Sequence, residues 1–278
     1  MRHQIIVRLF LGALLFCTYS PASSGQSSPG AASVSAADML EADPNRPSSS
    51  NAAETLAPGV IQWEYGWSRE WDGVGSIGSA LGGELRYGLT NRVELRWGGN
   101  TFVTQSDGVI RNNGFGDQYF ASQVVLRRQS PSIPAFAVSY AIKVPSASEP
   151  KGLGSGRIDH TFVFLASKDI HEFTIDFNTV TQVVGRDAAP GFDKNAIFIL
   201  TLSHAIKGPL GIIAEISGNT RLNEQTPAFA TNLWALTYRV HRRFVIDCAF
   251  DVGVTHGAPQ KRVLFGFTYA IANLRHGT

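Results

Sequence analysis

Residues 82–98 read GGELRYGLTNRVELRWG, and the order of charged and apolar side chains within them decides the fold. Glu84, Arg86, Glu94 and Arg96 alternate with Leu85, Tyr87, Val93, Leu95 and Trp97. In extended chain this puts every charge on one face and every large apolar group on the other. Between the two runs, Gly88-Leu89-Thr90-Asn91 supplies residues that tolerate the backbone of a tight turn. The stretch predicts an antiparallel hairpin. A soluble two-layer sandwich with one wet face gives such a pattern, and so does a transmembrane barrel with a polar lumen and an apolar outside. Glu and Arg interleaved across the pair, where a wet face more often carries Lys, Thr and Ser, fit the lumen more directly.

The same alternation recurs along the chain. Val60 to Arg69 sets Ile61, Trp63, Tyr65 and Trp67 against Gln62 and Glu64; Phe173, Ile175 and Phe177 oppose Thr174, Asp176 and Asn178; Phe244 to Val252 opposes Asp247 and Asp251. Strands are expected from about Val60 to Ala272, roughly twelve in all, an even number as a closed single-chain barrel requires. Short connections are expected near Leu89, Ser130, Asp169, Gly208 and His241, and longer ones near Asp72, Gly108, Glu149, Ala188, Glu224 and Gly257. Short periplasmic turns alternating with longer external loops are the habit of outer-membrane barrels. A sandwich has no reason to sort its connections this way. The predicted class is therefore all-β, an antiparallel transmembrane up-and-down barrel of about 12 strands.

Composition and the N-terminus agree with export. Charged residues make up 17% of the 278 residues, below the roughly 25% of a typical soluble domain. The net charge of +2 and the lack of a basic run argue against nucleic acid as a partner. Arg2 and Arg8 flank an n-region that leads into a short apolar core, Leu9 to Phe16, and the whole reads as a secretory signal over residues 1–24, cut between Ala22 and Gln26. Phe16 stands where a lipidation site at Cys17 would need a small residue, and loss of the signal leaves Cys248 alone, so no intramolecular disulfide is expected. No later stretch has the ~18 apolar residues of a helical span; a membrane form of this chain is a barrel. Residues 25–58, rich in Ser, Ala and Pro, read as a flexible periplasmic lead-in with one helical turn over Ala36–Glu41. The barrel is assigned to 59–272 and a tail to 273–278. Gly266, Tyr269 and Ile271 keep the spacing of the signal that hands such proteins to the barrel-assembly machinery, although Leu264 and the trailing residues depart from it.

Several runs resemble one family. Asp43-Pro44-Asn45-Arg46-Pro47, the stretch Pro58 to Gly66, and Glu84 to Arg96 are similar to the Putative MetA-pathway of phenol degradation family of outer-membrane barrels. Gly114-Phe115-Gly116-Asp117, Lys143-Val144-Pro145, and Gly152 to Gly156 with Asp159 resemble its middle motifs, so the likeness runs from about Asp43 to Ile271. The Asp-Arg-Pro motif is interrupted here by Pro44 and Asn45. The resemblance implies a transporter-like or porin-like barrel that passes aromatic or other hydrophobic compounds.

By parity the lumen collects Glu64, Glu84, Arg86, Glu94, Arg96, Asp117, Lys143, Asp159, Asp176 and Glu215, with Asp247 and Asp251 beyond them. Opposed charges of this kind set selectivity in a polar pathway. They also neutralise one another, since an unpaired charge in a confined site is costly. Both roles are compatible for the quartet Glu84, Arg86, Glu94 and Arg96. The expected protein is a monomer in the bacterial outer membrane, a channel or transporter for small hydrophobic or aromatic solutes, with lipid and solute as partners and neither cofactor nor metal. The alternatives are a plugged structural barrel and an outer-membrane lipid hydrolase. For the latter, His160, His171, His204, His241, His256, Ser139, Ser167 and Ser203 are available, none of them in a nucleophile motif. Gly114 to Asp117 precedes a strand and lacks phosphate-loop spacing, so a bulge or close strand approach is expected there.

Overall fold

The structure, a computed structural model, describes residues 40–72, 75–186, 190–224 and 226–275. The expected signal over 1–24, the lead-in as far as residue 39 and residues 276–278 of the expected tail lie outside the described residues. Thirteen strands follow in chain order. They are β1 (Val60–Trp71), β2 (Ile77–Gly88), β3 (Val93–Ser106), β4 (Arg111–Gly114), β5 (Gln118–Arg127), β6 (Ala135–Val144), β7 (Asp159–Ile170), β8 (Phe173–Gly185), β9 (Phe192–Lys207), β10 (Leu210–Asn219), β11 (Phe229–His241), β12 (Phe244–Gly253) and β13 (Lys261–Asn273).

Twelve of them make a closed antiparallel barrel. Each barrel strand pairs with its neighbours in sequence, and β1 also pairs with β13 from Val60↔Asn273 to Trp71↔Lys261. Closure leaves no unpaired strand edge, the condition for a sheet in a bilayer. The extra strand, β4, pairs only with the upper part of β3, Val103↔Gly114 to Ser106↔Arg111, while the lower part of the same edge pairs with β5. Its sequence, Arg-Asn-Asn-Gly, has no apolar alternation by which to anticipate it. What folds it back is the preceding turn: the Asp107 carboxylate accepts the amides of Val109 and Ile110 at 2.9 and 2.7 Å. Those donors, Ile110 foremost, hold the Asp107 carboxyl below its ordinary range.

The alternation runs inside out relative to a soluble sheet. On β1, Gln62 and Glu64 are buried whereas Trp63 is 40% exposed; on β3, Glu94 is fully buried while Trp97 is 53% exposed. Outward aromatic rings gather in belts: Trp63, Tyr65, Phe267, Phe244 and Tyr269 near the β12–β13 seam, and Trp97 stacked on Phe120 across β3 and β5. Such a surface suits hydrocarbon flanked by interfaces.

Most tight turns lie at one end and most long connections at the other, with one departure from strict sorting. The connection at 128–134 is longer than the one at 72–76. Arg128 ties that longer turn to the carbonyl of Asn91, and Gln129 accepts the amide of Asp169 at 3.1 Å, so the extra residues are pinned to neighbouring turns. Gly116 answers to the close approach expected for its motif: its amide donates to the Asn100 carbonyl at 2.9 Å, and a side chain there would run into Asn100 and Val103.

Candidate functional site

The inward charges form two clusters and one ring of chain. The first cluster sits on β1–β3. Arg86, 1% exposed, donates to Glu64 at 2.7 Å and to Glu94 at 2.9 Å, and Arg96 donates to Glu94 at 2.7 Å. Glu84 stands 3.8 Å from Arg96 and accepts the Tyr119 hydroxyl at 2.9 Å. Arg86 and Arg96 are directly opposite one another in the β2–β3 register, so Arg86 reaches Glu64 and Glu94 diagonally, while Arg96 reaches Glu84 diagonally and Glu94 two residues back along its own strand. Long guanidinium arms reach such diagonal neighbours easily. The mutual neutralisation expected of the quartet is therefore present, with Glu64 as an additional member.

The second cluster lies toward the long connections. Lys143 donates to Asp159 at 2.6 Å and to Asp117 at 3.2 Å. It also donates to the Ser155 hydroxyl at 2.8 Å, and Asp117 accepts the amides of Ser146 and Ala147. This cluster fixes the 145–158 connection, whose Leu153 is buried, against the barrel mouth.

The lead-in departs most from expectation. Over residues 40–58, read as flexible, the chain passes once round the inside of the barrel near the tight-turn end. Ala42 donates its amide to Arg242 at the β11–β12 turn, and the amides of Asn45 and Arg46 go to the Glu64 carboxylate. The Arg46 side chain reaches Asp247 at 3.3 Å, over the cross-strand pair Gly66–Gly266, where a side chain on either glycine would collide with the guanidinium. Next, Ser48 and the Ser49 amide donate to Glu215 on β10, at 2.6 and 2.8 Å. The Asn51 amide donates to Asn178 on β8, that of Ala53 to Ser167 on β7, and that of Leu56 to Glu94 on β3. Gln123 on β5 donates to the carbonyls of Ala52 and Glu54. Leu40, Ala42 and Leu56 then meet in one apolar cluster with Val60, Val245 and Ala270, closing the circuit. A peptide with few apolar side chains is held because the wall satisfies its backbone groups one after another.

Of the residues assigned to the lumen by parity, Glu64, Glu84, Arg86, Glu94 and Arg96 come together, as do Asp117, Lys143 and Asp159. Asp176 and Glu215 stand apart on the β8–β10 wall. Asp176 accepts the Ser167 hydroxyl at 2.5 Å, and Glu215 takes hydroxyls and an amide from the ring and from Thr201. Sequence reasoning missed Arg46, Gln123, Tyr119 and Thr201. Of these, Gln123 carried a usable signal: an uncharged polar group at an inward position between Val124 and Ser122, fully buried in the fold. On the tight-turn side of the ring a cavity of about 460 Å³ remains against β8–β12, lined by Pro44, Ile213 and Val245 beside Asp176, Thr237 and Arg239.

Three of the histidines available to a hydrolase make other bonds among the described residues. His160 bonds the Tyr140 hydroxyl, His204 the Glu172 carbonyl, and His241 accepts the Arg243 amide. The Ser167 hydroxyl donates to Asp176.

The family model described as Putative MetA-pathway of phenol degradation matches residues 44–270. The chain belongs to that family. Among curated proteins none matches it in sequence. Among solved structures, this Phenol-MetA family member is similar to the COG4313 outer membrane channel from Pseudomonas putida F1. The TM-score is 0.62 at 12% identity, covering 83% of this chain and 100% of that one. It is also similar to the NanC porin (TM-score 0.53, 7% identity, 76% and 100% covered) and the KdgM porin (0.52, 8%, 76% and 99%). At such identities the likeness is one of fold: an outer-membrane β-barrel of the channel and porin type.

Proposed function

We propose that this Phenol-MetA family barrel is a channel of the bacterial outer membrane for small hydrophobic or aromatic solutes, its lumen charges setting what passes. The observation that carries the reading is the inverted barrel itself: an apolar wall round an interior of paired charges, with space left beside the ring. A dry apolar cavity of ~150 Å³ already holds benzene, so the roughly 460 Å³ beside the ring has room for a single aromatic molecule with its substituents. Its lining sets Pro and aliphatic side chains among as many polar and charged ones, Asp176, His204 and Arg239 included, which suits an aromatic molecule carrying polar substituents. The family description supports the substrate class, and the porin-like fold supports passage.

The ring favours a second reading, a barrel held shut by its own lead-in. One experiment separates the two. Purified protein in planar bilayers, together with uptake of a labelled monocyclic aromatic by cells with and without the gene, should give discrete conductance and a gene-dependent uptake rate. Neither conductance nor uptake, from protein that still migrates faster unboiled than boiled on a gel, would leave the plugged barrel standing. Calcium-dependent ester cleavage by the same sample would favour a hydrolase instead.

A further inference from the structure

The outward face of β1–β4 near the long connections carries a groove that the channel reading does not use. Its side chains form cross-strand rows. Trp67 lies opposite Leu81, and Leu81 opposite Phe102; one step toward the rim, Arg69 lies opposite Ser79 and Ser79 opposite Thr104. At the rim itself Ile77 faces Ser106, and Ser106 faces Arg111, while Lys261 on β13 faces Trp71. The register shift between Leu81 and Gly82 keeps these rows on one face: it turns Phe102 and Thr104 outward, whereas lower on β3 Leu95 and Trp97 are the outward pair. Together the first two rows with Ile77, Ser106 and Arg111 of the rim bound a cavity of about 430 Å³ with an apolar floor and a basic, hydroxyl-bearing upper edge.

The charges of this groove differ from those of the lumen. Inside, Arg46, Arg86, Arg96, Lys143 and Arg262 all meet carboxylates. Outside, Arg69, Arg111 and Lys261 are exposed, and among the described residues they meet none. The Arg69 guanidinium lies 5.2 Å and the Lys261 ammonium 5.1 Å from the Trp71 ring centre, flanking it. A cation placed against an aromatic belt at the membrane boundary attracts anionic head groups while the belt takes their chains. Guanidinium groups bind phosphate through paired donors. Arg69 on β1 and Arg111 on β4 are three strand spacings apart across the sheet, about 14 Å, and two residues apart along it, which suits two separated phosphates better than a single one.

We propose that this groove binds the phosphorylated glycolipid of the outer leaflet, its phosphates on Arg69, Arg111 and Lys261 and its acyl chains along Trp67, Leu81 and Phe102. The occupant is a lipid and not a free anion because Trp67, Leu81 and Phe102 lie on the same outward face as Trp63, Leu85 and Trp97 further along the same strands. The site rests on the long connections being the external ones. That is read separately by labelling Val109→Cys, a position 92% exposed, on intact cells with a membrane-impermeant maleimide. Protein in detergent would be mixed with diphosphoryl lipid A, its monophosphoryl form or its dephosphorylated form, and retained lipid counted by native mass spectrometry. Wild type should keep the diphosphoryl lipid, the monophosphoryl form less and the dephosphorylated form least. R69Q/R111Q/K261Q should retain at least about tenfold less, while Lys151→Gln, a rim cation outside the groove, should behave as wild type, and inorganic phosphate should not compete. Heat-modifiable migration checks that each variant is folded. Equal retention by the triple variant, indifference to the lipid's phosphates, displacement by inorganic phosphate, or no labelling at Val109→Cys would overturn the assignment.

Discussion

At the residue scale the arrangement turns on Arg86, which one face of a hairpin places between two carboxylates in a nearly water-free position. Removing one partner of such a group strands the rest: breaking a buried ion pair costs roughly 3–5 kcal/mol. Arg86→Met should therefore lower the urea midpoint at which the compact, heat-modifiable form is lost, by an amount in that range once multiplied by the slope. Glu64→Gln and Glu94→Gln added to the same chain should recover most of it, because the neutral amides still accept the Arg46 and Leu56 backbone donors. No recovery would mean that Arg86 matters through packing and not through charge. This much was legible in the sequence, since strict alternation fixes which way each charged side chain points. The choice of partner was not, because guanidinium reach extends past the residue directly opposite.

At the element scale the lead-in is a ring, and its notch at Gly66 and Gly266 is a lock. Gly266→Val would fill the space under the Arg46 guanidinium and should loosen the ring at its Arg46 anchor. With Ala53→Cys as a reporter, a residue fully buried in the ring, a water-soluble maleimide should react at least about tenfold faster when Gly266 is Val, a release of more than ~1.4 kcal/mol in local opening. An unchanged rate would show that the other anchors suffice. Deleting residues 42–57 tests the whole element: single-channel conductance should rise severalfold with the barrel still heat-modifiable, and unchanged conductance would mean that ions pass where the ring is not. The strands announced themselves through period-two alternation, whereas the ring had no such signal. Its Ser, Ala, Pro and Asn residues are those of an unstructured linker, and order comes from donors and acceptors contributed by strands far along the chain.

At the scale of the whole molecule the fold was legible because a barrel repeats one instruction, polar in and apolar out, a dozen times, while the distribution of charge round the lumen is legible only once closure decides which strands face each other. On the β1–β3 wall every carboxylate of the cluster has an arginine within 3.8 Å. Across the lumen, Asp176 and Glu215 meet hydroxyls and one backbone amide but no cation among the described residues. The carboxylates of the passage are thus without a cation on one side and ion-paired on the other, three of them to two arginines, and a confined, uncompensated charge is what an ion in transit feels. If ions cross this barrel they should favour cations, read as the sign of the reversal potential under a potassium chloride gradient. Asp176→Asn with Glu215→Gln should move that potential toward zero. Exchanging Glu84 and Arg96 for each other leaves the net charge of the paired wall unchanged and should change it little, whereas Arg96→Ala alone should strengthen the cation preference. A reversal potential that follows the Glu84 and Arg96 exchange, and ignores Asp176 and Glu215, would place the selective path along the opposite wall.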